Sequence, residues 1–117
     1  MHLREGGEMA QIYRGTTPSV TLSVAGVDLS SPATWPVVVV TLKNGGTETD
    51  LARDAMGIER TDAGCSVTLA LTQAQTLAMD WLRPTLVQLR ARDAAGHAIA
   101  SEVASVEVRD VIKGGEI

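Results

Sequence analysis

The residues that could carry chemistry in this chain are few, and their spacing assigns them little to do. It holds two histidines, His2 and His97, and a single cysteine, Cys65. They share no metal-ligand spacing, and zinc normally takes three or four ligands. Cys65 alternates with Val67, Leu69 and Leu71 on the apolar parity of a strand-like segment, which predicts a buried, inert thiol. A nucleophilic cysteine would need exposure and a cationic neighbour. Asp50, Asp54, Asp62, Asp80 and Asp93 fall at turns or element ends, where aspartate usually bonds nearby backbone groups. No segment has the alternating oxygen ligands of a calcium loop. No serine sits in a nucleophile elbow, and the pairs Gly45-Gly46 and Gly114-Gly115 belong to a turn and a tail, not a phosphate loop. The sequence therefore predicts no catalytic residue, no cofactor and no metal: the expectation is not an enzyme.

Trp35 and Trp81 are the remaining candidates. Each stands near a proline-bearing connection, Trp35-Pro36 and Trp81-Leu82-Arg83-Pro84, and not in a strand centre. Two roles follow for such residues. They cap the ends of the fold, or one of them is an exposed anchor for a partner chain, since tryptophan is enriched at interface hot spots.

The elements that must position these residues are short strands. Val20, Leu22 and Val24 alternate with polar residues, as do Val38, Val40 and Leu42, then Cys65, Val67 and Leu69, then Val87, Leu89 and Ala91. Period two is the signature of a half-buried strand. Asn44-Gly45-Gly46 suits a tight hairpin, with Thr47 to Leu51 returning antiparallel. Gln11 to Arg14 and Met56 to Arg60 are further short strands. Thr72-Gln73-Ala74-Gln75 has the form of a capping box and predicts about two helical turns ending near Asp80, with Ala74, Leu77 and Ala78 as its apolar stripe. Between His97 and Val111 the apolar parity changes near Ala104-Ser105, which predicts a bulge or bend. Seven or eight strands with one short crossover helix predict an all-β, immunoglobulin-like antiparallel sandwich. A partly closed barrel is the second choice.

Residues 10–117 form the expected single sandwich domain, and residues 1–9 are set apart as a flexible N-terminal tail. Glu5-Gly6-Gly7-Glu8 before Met9 has two readings: a translated, purine-rich ribosome-binding site with Met9 as the natural start, or a genuine tail. At 117 residues the chain can bury one core without disulfides. Aromatic residues make up 3% and phenylalanine is absent, so Val, Leu, Ile, Ala and Met must fill that core. The net charge of −4 and scattered cations argue against nucleic acid. No apolar run approaches a membrane span and no signal-peptide core is evident, so production in the bacterial cytoplasm is the expectation.

Over most of residues 12–117 the chain resembles the immunoglobulin-like N-terminal domain of phage baseplate upper proteins and other small prophage structural proteins. The resemblance lies in Ile12-Tyr13-Arg14-Gly15-Thr16-Thr17 and Leu71-Thr72-Gln73-Ala74-Gln75-Thr76-Leu77. It continues in Val87-Gln88-Leu89-Arg90-Ala91-Arg92 with Asp93 to Gly96, and in Val106-Glu107-Val108-Arg109-Asp110-Val111-Ile112. It implies a non-catalytic module of the tail or baseplate region, located in the virion. The implied partners are other phage structural proteins, with a homo-oligomer as a further possibility. In that family the domain helps to hold a longer receptor-binding protein, and this sequence holds no residues for the receptor-binding part. The alternative function is a ligand-binding sandwich for glycans or a host surface, which the scarcity of aromatic side chains disfavours.

Overall fold

The computed structural model describes residues 2–5 and 11–110. Alternation of apolar residues places one side of each strand on a common core. The strands are β1 (His2–Glu5), β2 (Gln11–Tyr13), β3 (Ser19–Ala25), β4 (Val37–Asn44), β5 (Thr47–Ala52), β6 (Met56–Arg60), β7 (Gly64–Ala70), β8 (Thr85–Arg92), β9 (Ala98–Ala100) and β10 (Ala104–Arg109). A 3-10 turn at Arg53–Ala55 links β5 to β6, and the helix α1 (Gln73–Leu77) links β7 to β8.

One sheet has the order β1-β3-β7-β6. The other runs β2-β10-β8-β4-β5, with β9 paired to the far half of β8. These are the two strand sets of an immunoglobulin sandwich. Val20, Leu22 and Val24 of β3 and Cys65, Val67 and Leu69 of β7 supply the core from the first sheet. Val38, Val40 and Leu42 of β4, Val87 and Leu89 of β8, and Val106 and Val108 of β10 supply it from the second. The predicted inward and outward parities of β3, β4, β7 and β8 all hold. Antibody domains join their sheets by a disulfide packed on tryptophan. Here the strands' inward residues are almost all aliphatic, and Cys65 among them is a free thiol.

Several expectations change in detail. The described residues form ten strands, not seven or eight: β1 adds one ahead of the expected first strand, and the expected last strand is split into β9 and β10. The sandwich is not wholly antiparallel: β2 runs parallel to β10, pairing Ile12 with Val108. β1 pairs antiparallel with β3, setting His2 opposite Ala25, inside the stretch that the sequence analysis assigned to a tail. The remainder of residues 1–9, with Ala10 and residues 111–117, lies outside the described residues.

The change of parity falls at Ser101–Val103, slightly before its expected place. Ser101 stays buried: its N–H donates to the Leu89 carbonyl at 2.8 Å and its Oγ accepts from the Leu89 N–H at 2.9 Å. One serine thereby satisfies both backbone groups of β8 where the ladder is interrupted, and Val103, expected inside, is exposed. The β4–β5 turn is the anticipated two-residue hairpin, with positive φ at Gly45.

The capping box forms as predicted. The Gln75 N–H donates to Thr72 Oγ1 at 3.2 Å and the Thr72 N–H to Gln75 Oε1 at 2.8 Å. The helix is shorter than the two turns expected, and its buried residue is Thr76, not the Ala74–Leu77–Ala78 stripe. Polar contacts explain this. Thr76 Oγ1 accepts from the Gly15 N–H at 3.0 Å and donates to the Thr16 carbonyl at 2.9 Å, so α1 docks on the β2–β3 connection through a hydroxyl.

Gly64 marks the closest approach of β7 to the turn after β3. A Cβ there would run into the Val24 carbonyl oxygen and lie 2.8 Å from that of Val27. Both obstacles are backbone, which cannot swing aside. Gly64→Ala is therefore expected to destabilise the fold by about 2–3 kcal/mol. Urea denaturation should show this as a lower midpoint with an unchanged slope.

Candidate functional site

The two tryptophans occupy opposite ends of β4, and the fold does not bring them together. Trp35 precedes the strand. It is half-buried against the core, and its carbonyl accepts from Arg53 at 3.0 Å. The same guanidinium donates to the Leu29 carbonyl at 2.8 Å and to that of Ser30 at 2.9 Å, so Arg53 fastens the whole β3–β4 loop. Trp35 is a packing residue.

Trp81 is placed differently. It lies in the α1–β8 loop with 51% of its surface exposed, and the adjoining Leu82 is 72% exposed. Two large apolar side chains thus project side by side from one end of the sandwich. The backbone beneath them is held from several directions. Asn44, at the end of β4 and only 3% exposed, accepts from the Asp80 N–H at 2.7 Å through Oδ1. Its Nδ2 donates to the Asp80 carbonyl at 3.1 Å and to the Arg83 carbonyl at 3.2 Å. The loop is clamped on both sides of Trp81 by one buried amide.

Asp80 adds a local turn. Its Oδ1 accepts from the Leu82 N–H at 2.9 Å, an Asx arrangement, while Oδ2 meets Arg83 Nε at 3.2 Å. Arg14 closes the helix end, donating to the Met79 carbonyl at 2.8 Å and the Leu77 carbonyl at 3.1 Å. It also pairs with Asp110 at 3.0 Å. Thr47 Oγ1 donates to the Ala78 carbonyl at 3.1 Å from the β4–β5 hairpin. Side chains from β4, the start of β5 and the residue after β2 therefore converge on this loop. An apolar tip on so constrained a backbone can dock on a partner without first being ordered, which reduces the entropic cost of binding. Sequence reasoning found Trp81 but missed its neighbour Leu82 and the clamp at Asn44, which reads locally as a hairpin residue.

The other candidates make no reaction centre. Cys65 is buried, and desolvation pushes its thiol pKa upward. His97 is exposed beside Asp93, with Nδ1 at 3.2 Å from Oδ2. The Asp93 pKa is lowered, first by the backbone N–H of His97, so this aspartate serves its own turn. Asp50 accepts from Thr41 Oγ1 at 2.6 Å. Among the described residues no three His, Cys, Asp or Glu side chains are grouped to hold a metal, and no helix is long and apolar enough to cross a membrane.

Two outcomes follow. Cys65 is expected to resist a soluble disulfide reagent in the native protein and to react fully once urea is added, as absorbance of the released thiolate would record. Asn44→Ala leaves four polar contacts unmade, the fourth being that of Nδ2 to Thr85 Oγ1 at 3.3 Å, and is expected to cost about 2–3 kcal/mol. It should also lower the steady-state fluorescence anisotropy of Trp81, measured in a Trp35→Phe background. The chain matches no family model and no curated protein, so its function has to be read from this surface.

Proposed function

We propose that this chain is a non-catalytic structural or assembly module of a phage or prophage particle, in its tail or baseplate region, acting through protein–protein contacts. The observation that carries the contact role is the Trp81–Leu82 tip: exposed, apolar and fixed by Asn44, Asp80 and Arg14. Interface hot spots favour tryptophan seated in a desolvated pocket of the partner, and a pre-ordered tip suits that use. The phage assignment is supported by the resemblance described above, whose segments occupy β2, α1, β8 and β10. On this reading the virion is its working location and other phage structural proteins are its partners. The sandwich is a rigid mount that presents one end outward.

The test is incorporation into particles. Tagged chain is produced in a lysogen whose phage is induced, and the particles are banded on a density gradient and probed for the tag. Wild-type chain should co-band with particles. The double variant Trp81→Ala/Leu82→Ala, whose circular dichroism and urea midpoint should match wild type, is expected to lose at least about tenfold in incorporation, as a hot-spot truncation implies. Absence of the wild-type chain from the particles, or undiminished incorporation of a folded double variant, would sink the reading.

A further inference from the structure

The outward face of the six-stranded sheet carries charges that the fold leaves unanswered. Arg14, Arg60, Arg83 and Arg109 each meet a carboxylate, and Arg53 meets three carbonyls. Lys43, Arg90 and Arg92 engage no partner among the described residues, and all three stand on this one face. Strand register sets the face out in rows. Arg92 lies beside Val37, and Arg90 beside Val39 and then Ala52. Gln88 lies beside Thr41 and then Asp50, and Leu86 beside Lys43 and then Glu48. Across the sheet, arginines occupy β8, valines the near half of β4, and carboxylates β5; Lys43 stands next to Glu48.

The face is also partly apolar. A shallow depression of about 430 Å³ has Val37, Val39, Ala98 and Ala100 beside the two arginines. Farther along, Leu86 is 45% and Val103 56% exposed. We propose that two copies of the chain meet through this face, about a two-fold axis running parallel to the strands over β4. That rotation lays β8 of one copy on β5 of the other, so Arg90 comes within diagonal reach of the partner's Asp50, and the valines of β4 meet at the centre. A two-fold axis across the strands would instead set arginines against arginines. A foreign acidic segment would answer Arg90 and Arg92 but press more negative charge on Glu48 and Asp50. A second copy answers Arg90 and Asp50 at once, while Lys43, which stands against the partner's Lys43 across the axis, keeps its own strand neighbour Glu48 as counter-charge.

The inference is independent of the Trp81 tip, which lies at an end of the sandwich and stays free in such a pair. The face spans about 500 Å² per copy, so pairing buries about 1,000 Å², at the low end for specific interfaces. The association is accordingly weak and weakened further by salt.

Sedimentation velocity of the full chain tests it across a concentration series reaching the millimolar range. Wild type should form dimers that salt dissociates. Arg90→Glu and Asp50→Arg, both exposed changes, should each weaken dimerisation at least about tenfold. Mixing the two variants in equal amounts should restore it, because each symmetric contact again joins opposite charges. If circular dichroism shows either variant unfolded, Val39→Lys at the centre serves instead and should be monomeric. A wild type that stays monomeric, variants that dimerise normally, or a mixture that remains monomeric would overturn the proposal. Binding of polyglutamate by a monomeric wild type would overturn it in favour of an acidic partner.

Discussion

The inner faces of the two sheets meet through branched aliphatic side chains, and the rest of the molecule follows from that contact. Val20, Leu22, Val24, Val67 and Leu69 press from one side and Val38, Val40, Leu42, Val87 and Leu89 from the other, all nearly or fully buried. No phenylalanine contributes and no disulfide ties the layers. Burial of such side chains is non-directional, stabilising by about 1.5–3 kcal/mol each before chain entropy is charged against it. It makes two layers adhere without dictating how their ends close.

Direction comes from polar groups at the ends. Arg53 gathers three carbonyls at one end; at the other, Asn44 and Arg14 gather the α1–β8 loop and Thr76 docks α1 on the β2–β3 connection. Each is a long side chain or a buried hydroxyl or amide meeting backbone groups that would otherwise be unpaired inside the protein. Leaving such groups unmet is costly, so these contacts select one loop conformation from many. The same polar frame that closes the core holds Trp81 and Leu82 outward. A structural need and a presentational consequence arise from one set of bonds.

The titratable groups that the sequence offered are absorbed locally: Asp93 in its own turn, Asp80 in the Leu82 turn, Cys65 in the core. What remains for other molecules is an apolar tip at one end and a mixed apolar and charged sheet face.

The sequence by itself determined β2 to β8, the inward parity of β3, β4, β7 and β8, the two-residue hairpin and the capping box. All of these depend on residues close together in the chain, and period two or a three-residue spacing encodes them directly. It did not determine that Gln11–Tyr13 runs parallel to β10, that Ser101 absorbs the slip before β10, or which tryptophan is buried. Those outcomes rest on partners distant in the chain: Arg109 accepting from Arg14 across 95 residues, Leu89 bonding Ser101, and Arg53 reaching back to Trp35. Loops carry no period, so the burial of Trp35 and the exposure of Trp81 were decided by which side chains from other elements arrived to fasten them. Tertiary structure decides there because a hydrogen bond between remote segments leaves no spacing signal in the chain.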